Sequence, residues 1–272
     1  MPAQAPAAYV LGHSEQELAR LERQGEIFRA ETRDILLRAG LNTGMRVLDV
    51  GCGVGDVSMI AAEIVGPTGR VLGIDNATGA VGPAAARAKR AGYDWLTFDQ
   101  ADVFTFEPDK AFDAVVGRFI LLHVADPVAA IAHLRQGLGD GATVAFIEMD
   151  IGQTSAIPEM PLLTQCLEWI DTIYRRVGVE PDMGSKLYAT FRAAGLTPRL
   201  TGSTRIESGP DSMVYQFAAQ TLTSLMPAIE KLGVATADDV GVDTLAARLR
   251  DAAVAGDHCI LMPRLIGAWA LV

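Results

Sequence analysis

The chain has 272 residues, half of them apolar and only 6% aromatic, which suits one large α/β domain or a domain with a smaller appendage. A formal charge of −10 without a basic stripe argues against nucleic acid as a main partner and against a basic membrane-binding helix. Cys52, Cys166 and Cys259 are odd in number and far apart, so neither a disulfide nor a zinc site is expected and a reducing cytoplasm fits best.

Residues 1–8 are rich in Ala and Pro, with no positive or apolar region, so no signal peptide is expected. No apolar run approaches the length of a membrane span. Ser14-Glu15-Gln16-Glu17 has the form of a capping box and predicts a helix carrying Leu18, Leu21 and Phe28, which Gly25 could bend or interrupt. A second apolar set, Ile35, Leu36 and Leu37, ends near Gly40.

From Asn42-Thr43-Gly44 onward, strands and helices alternate. Strands are expected over 46–50, 70–74, 95–101, 112–116 and 143–148. Between them lie a helix over 56–65, an alanine-rich helix ending near residue 91, and a third that Asp126 caps and Pro127 begins. This alternation predicts an α/β fold with a doubly wound, mainly parallel sheet that binds its ligand at the carboxyl ends of the strands. Those ends carry Asp49, Asp75, Asp102, Gly117 and Glu148.

Past Asp150 the rhythm changes. Helices are expected over 158–177 and 185–194, a strand over 197–204, two more helical stretches within 210–256, and a final strand over 259–266. The domain reading is a helical arm over 1–41, a cofactor-binding core over 42–150, and the remaining sheet over 151–272. Helical lid insertions in that last part fall at about 152–184 and 210–256.

The densest chemical signal is Val47-Leu48-Asp49-Val50-Gly51-Cys52-Gly53-Val54-Gly55, a buried strand breaking into a glycine turn before a helix. Glycines there let backbone approach a ligand, and Asp75, closing the next apolar run, can bind a ribose. A dinucleotide prefers a small residue at the sixth position, where this chain has Asp56. A carboxylate near a pyrophosphate is repulsive and occupies the anion-binding helix end, so Asp56 speaks against a nicotinamide oxidoreductase. S-adenosyl-L-methionine needs only its amino-acid tail near that end, and an acidic pocket suits its sulfonium.

With Asp75, Ala101-Asp102-Val103 and the 112–116 strand, residues 47–55 resemble the class I S-adenosylmethionine-dependent methyltransferases, most closely the small-molecule branch that includes quinone-biosynthesis enzymes. The resemblance is firm over 42–150 and loose elsewhere. It implies a Rossmann-like seven-stranded sheet whose last two strands form a hairpin. It also implies that residues 49–55 cradle the cofactor, that Asp75 meets ribose and that Asp102 meets adenine. Asn76-Ala77-Thr78-Gly79-Ala80 departs from the more helical, apolar start usual in the family.

The expected cofactor-binding residues are Tyr9, Asp49, Gly51, Cys52, Gly53, Gly55, Asp75, Asn76, Asp102, Val103, Gly117 and Arg118. Two catalytic candidates are His123, as a general base of near-neutral pKa, and Glu148, which together with Asp150 could orient substrate or pair with Arg118. Arg118 could meet the cofactor tail or a carboxylate. His133 is expected to be exposed, and His258 to be structural. The methionines of the second half and Phe217 are expected mostly in the core.

The activity this implies is methyl transfer to a small, largely apolar acceptor, with O-methylation ahead of N- or C-methylation. The alternatives are a cofactor-holding protein that catalyses a cyclisation or rearrangement and, further off, an NAD-dependent oxidoreductase. A small molecule is the expected partner. The apolar helices after Asp150 serve either as a homodimer face or as pocket closure.

Overall fold

A computed structural model describes residues 15–272, without the side chains of Glu15, Gln16, Leu18 and Ala19. Ser14 of the expected capping box lies outside the described residues, as does Tyr9.

Among the described residues two helices come first, α1 (Glu15–Ile27) and α2 (Arg29–Arg38). They join at Phe28, where the amide of Phe28 still reaches the Gln24 carbonyl (3.1 Å) and Thr32 reaches Phe28 (2.9 Å). Gly25 does not interrupt α1. Of the expected apolar set, Ile35 and Leu36 are buried and Leu37 is exposed.

The core follows as β1 (Arg46–Val50), α3 (Asp56–Val65), β2 (Arg70–Asp75), α4 (Thr78–Ala91), β3 (Leu96–Gln100), β4 (Ala114–Arg118), α5 (Pro127–Gln136) and β5 (Thr143–Asp150). β1 and β5 read as near-continuous apolar runs because helices cover both faces of a parallel sheet. The Asp126 carboxylate accepts from the Ala129 amide at 2.9 Å and starts α5. β4 runs two residues later than its sequence suggested. Asp113 caps its start by accepting from the Arg46 amide (2.8 Å), and the Arg46 guanidinium lies over the Phe112 ring.

The second half contributes β6 (Ser155–Ile157), α6 (Pro161–Val177), α7 (Met183–Ala193), β7 (Arg199–Ser203), β8 (Ile206–Glu207), α8 (Val214–Lys231), α9 (Ala237–Val240), α10 (Val242–Ala255), β9 (Cys259–Leu261) and β10 (Arg264–Leu271). The final stretch is therefore two strands rather than one. Pro263 cannot donate to a ladder, and the chain changes sheets there. β9 joins β6 and β8 in a small antiparallel sheet, which the sequence reading missed. β10 enters the main sheet in the order β3-β2-β1-β4-β5-β10-β7, antiparallel to both its neighbours.

The architecture is a mostly parallel, doubly wound seven-stranded sheet. Strand order reverses between β1 and β4, so their carboxyl ends splay open a crevice. α8 packs against α1, α6 and α10, and α1 reaches α3, so the helices of the second half meet the N-terminal arm near that crevice. Met160, Met183, Met226 and Met262 are buried, while Met213 is exposed. Among the described residues, no helix is long and apolar enough to cross a membrane.

Candidate active site

After β1 the backbone turns through Gly51, Gly53 and Gly55, with φ of 66°, 51° and 85°. All three lie in the left-handed region that L side chains rarely enter. The Cys52 amide donates to the Ile74 carbonyl at 3.0 Å and ties the loop to the end of β2. Asp75 accepts from the amides of Gly53 and Ala77, both at 2.9 Å, and so joins the glycine loop to the start of α4. That second bond supplies the helix start that residues 76–80 otherwise lack, since Ala77 offers no side-chain cap.

A cleft of about 1130 Å³ opens above this loop. Of the residues singled out from the sequence, Gly51, Cys52, Gly53, Asp75, Asn76, Asp102, Val103, Arg118 and His123 line it. The Asp102 carboxylate is turned to the Phe104 amide at 2.8 Å. A Cβ on Gly53 would meet nothing within 4 Å, so the backbone there lies open to the cleft.

The structure places the other anticipated residues elsewhere. Asp49 is buried beneath the loop. One of its oxygens accepts from the Ser58 hydroxyl at 2.5 Å, and the other has no partner among the described residues. Burial pushes its carboxyl up to about 7. Gly55 caps α3 against Phe98, and Gly117 packs where a Cβ would meet Phe146 and Ile120, so neither lines the cleft. Burial, with Asp49 and Asp75 nearby, pushes the Cys52 thiol up, away from nucleophile chemistry.

Glu148 also stands back from the cleft. It is fully buried, and one oxygen accepts from the amides of Ile120 (3.0 Å) and Leu121 (2.7 Å), while the other is unpartnered among the described residues. It braces the segment 119–123, in which Phe119 has a φ of 57° and Leu121–His123 form a short 3₁₀ turn. Glu148 does not meet Arg118, and neither does Asp150, which takes Ser185 and Arg264 instead. His133 is half-buried, not exposed, and bonds the Phe106 carbonyl at 2.8 Å. His258 bonds the Pro158 carbonyl at 2.7 Å.

Arg118 is buried in the cleft wall, donating to Thr32 of α2 (2.8 Å) with its guanidinium 5.2 Å from the Phe119 ring centroid. It forms no ion pair among the described residues, and burial lowers its pKa against the fields of Asp56 and Asp49. Asp56 pairs with Arg87 at 2.8 Å and, like Arg118, lines the cleft. His123 is the largest departure from expectation. Burial and the charge of Arg20 push its pKa down to about 4, so its imidazole is neutral at physiological pH and a weak proton acceptor.

Sequence reasoning missed Arg20, Gln24, Phe119, Met149 and Tyr174, which also line the cleft. α1 crosses the start of α3 at Gly25, where a Cβ would lie 2.4 Å from the Asp56 carboxyl carbon. Gly25→Ala gains about 1 kcal/mol of helix propensity and loses about 1–3 kcal/mol to overpacking. A net loss of about 1 kcal/mol is expected in urea denaturation, and a stabilised variant would refute this packing.

The residues fit a nucleoside cofactor with an amino-acid tail. Glycine-loop backbone, the Asp75 carboxylate at the tip of β2 and the buried Arg118 guanidinium all line one cleft at the reversal of strand order. A crevice at the reversal of strand order is where doubly wound enzymes, as a class, bind nucleoside cofactors. The particular family is methyltransferase: the methyltransferase-domain model matches residues 41–193, and the chain belongs to that family. S-adenosylmethionine is the methyl donor this membership implies.

The chain is 38% identical over 105 residues to the aklanonic acid methyltransferase DauC of Streptomyces sp. (strain C5), covering 38% of this chain and 48% of that one. It is 34% identical over 126 residues to the 2-phytyl-1,4-naphtoquinone methyltransferase of Synechococcus elongatus, covering 45% and 51%. The matches thus span about half the length of these curated relatives. Among solved structures, the YcgJ protein of Bacillus subtilis shares the fold with a TM-score of 0.57 at 18% identity, covering 89% of this chain and 99% of that one.

Proposed function

We propose that this protein transfers a methyl group from S-adenosylmethionine to a small, largely apolar acceptor, at oxygen in the first instance. One observation carries the reading: one cleft is lined both by the glycine loop and Asp75 and by the apolar side chains Phe119, Leu122 and Met149. Family membership and relatives named as aklanonic acid and naphtoquinone methyltransferases support a small-molecule acceptor.

In this reading the loop backbone at Gly51–Gly53 and Arg118 receive the amino-acid tail, and Asp75 gives up its loop amides for ribose hydroxyls. Asn76, Asp102 and Val103 flank the base. Asp49, Gly55, Gly117 and Glu148 act from beneath by fixing the loops that make contact. The cofactor supplies an electrophilic methyl on a sulfonium. The chain supplies alignment and exclusion of water, with the 119–123 segment on one side and α1 on the other. Neutral His123 holds the acceptor by a hydrogen bond rather than storing its proton.

The surface charge of −10 supports a small-molecule partner over nucleic acid, and three free thiols support a reducing cytoplasm. The packing of α8 on α1, α6 and α10 supports pocket closure over a dimer face.

Calorimetry of the full chain with S-adenosylmethionine and S-adenosylhomocysteine tests the cofactor half of this reading, and micromolar binding of both is expected. Absence of binding, or stabilisation by NAD alone, sinks it. Label transfer from methyl-labelled donor to extracted small molecules tests the other half. Product formed with the donor intact would favour a cyclisation or rearrangement instead.

A further inference from the structure

Arg118 ends β4 as a buried cation facing the cleft. It is 8% exposed and forms no ion pair among the described residues. The nearby carboxylates are engaged elsewhere: Asp56 pairs with Arg87 at 2.8 Å, and Asp49 accepts from Ser58 at 2.5 Å. A buried charge without a counterion is costly, so an anion that enters the cleft gains by meeting it.

The N-terminal arm fixes this guanidinium. Thr32, fully buried in α2, accepts from Arg118 at 2.8 Å through its hydroxyl and donates to the Phe28 carbonyl at 2.6 Å. A hydroxyl has one proton to give, so the bond to Phe28 leaves its lone pairs for Arg118. Phe28, one helical turn earlier, sets its ring edge-on to Phe119 with centroids 5.4 Å apart. The Arg118 guanidinium lies 5.2 Å from the centre of that same Phe119 ring. Positions 28 and 32 therefore grip the consecutive residues 118 and 119. Phe119 has a φ of 57°, which a bulky residue keeps only where its surroundings enforce it. Held at one corner, the guanidinium keeps its other N–H donors in a fixed plane, as a forked bond to a carboxylate requires. Thr32 lies outside residues 41–193, the span of the methyltransferase-domain match.

We propose that Thr32 is a positioning residue for the cofactor: by fixing Arg118 it sets how strongly the chain prefers a nucleoside thioether with a tail carboxylate over one without. The arm then takes part in cofactor selection without touching the ligand. This rests on the reading above in which Arg118 receives the amino-acid tail.

The test measures binding of S-adenosylhomocysteine and of its decarboxylated analogue, S-adenosyl-3-thiopropylamine, to the full chain by calorimetry. The two differ only in the carboxylate. Wild type is expected to prefer S-adenosylhomocysteine by about thirtyfold. Thr32→Val keeps the branched shape and removes the hydroxyl. It is expected to weaken S-adenosylhomocysteine about tenfold and the analogue less than twofold. Thr32→Ser retains the hydroxyl and is expected to stay within about twofold of wild type for both. In an Arg118→Met background the effect of Thr32→Val is expected to vanish, because no guanidinium is left to position. Thr32→Ala, which favours the helix, carries the same expectation and replaces Thr32→Val if that variant does not fold. Equal weakening of both ligands by Thr32→Val, or an undiminished effect without Arg118, makes Thr32 merely structural and overturns the proposal. A wild-type chain that binds both ligands alike also overturns it. Each of these results leaves the cofactor reading intact, whereas failure of S-adenosylhomocysteine to bind wild type overturns both.

Discussion

Gly51→Ala is expected to lower affinity for S-adenosylhomocysteine by about a hundredfold, or about 2.7 kcal/mol. Two costs combine. Gly51 has a φ of 66°, and an L residue held there costs about 1–2 kcal/mol. Its Cβ would also lie 2.6 to 2.9 Å from three side-chain carbons of Ile120. Ile120 cannot retreat freely, because Glu148 holds its amide at 3.0 Å and that of Leu121 at 2.7 Å. The glycine loop must give way instead, and with it the backbone of residues 51–53 that lines the cleft.

Gly53→Ala is the control. It carries similar strain, at a φ of 51°, but its Cβ meets nothing within 4 Å. Thermal melts of the two ligand-free variants should therefore differ, with Gly51→Ala losing more. Equal losses would mean that backbone strain alone governs the loop and that the Ile120 contact is immaterial.

This coupling between the glycine loop and the 119–123 segment shows where sequence reading succeeds and where it stops. Local signals sufficed for β1, α3 and the Asp126 cap of α5, since each is written in contiguous residues: an apolar run, a glycine turn, an aspartate before a proline. They failed at the last strand. An apolar stretch across 259–266 looks continuous, and only the tertiary switch at Pro263 divides it between two sheets. The glycine-loop end of the cleft was legible for the same local reason. The part of the cleft lined by Arg20, His123 and Tyr174 was not. Arg20, His123 and Tyr174 come from α1, the segment after β4, and α6, and no spacing connects them. The state of His123 depends on that assembly: a near-neutral base is a fair expectation until burial and Arg20 are both in view. Glu148 misled in the opposite way. A carboxylate at a strand end suggests chemistry, yet here it faces backbone amides.

Glu148 also makes folding stability pH-dependent, with a sign that can be checked. Burial raises its carboxyl from 4.5 to about 8, and Asp49 rises from 3.8 to about 7. Below about pH 3 both groups are protonated in the folded and unfolded chain alike. As pH rises toward 8, the unfolded chain releases protons that the folded chain retains, so stability falls across that window and levels off above it. Every tenfold difference in proton affinity between the two states corresponds to about 1.4 kcal/mol, so Glu148 alone contributes a decline of a few kcal/mol. Glu148→Gln resembles the protonated state, since its carbonyl oxygen can still accept from Ile120 and Leu121. It is expected to match wild type within about 1 kcal/mol at pH 5 and to exceed it by about 2 kcal/mol or more at pH 9. Urea denaturation at pH 5, 7 and 9 measures the difference. Parallel wild-type and variant profiles would show that the carboxyl ionises inside the fold without cost. Glu148→Leu separates charge from support. It removes the titration but leaves two amides of the 119–123 segment without their acceptor, at about 1–3 kcal/mol each. It should therefore fall below wild type at pH 5, where Glu148→Gln does not.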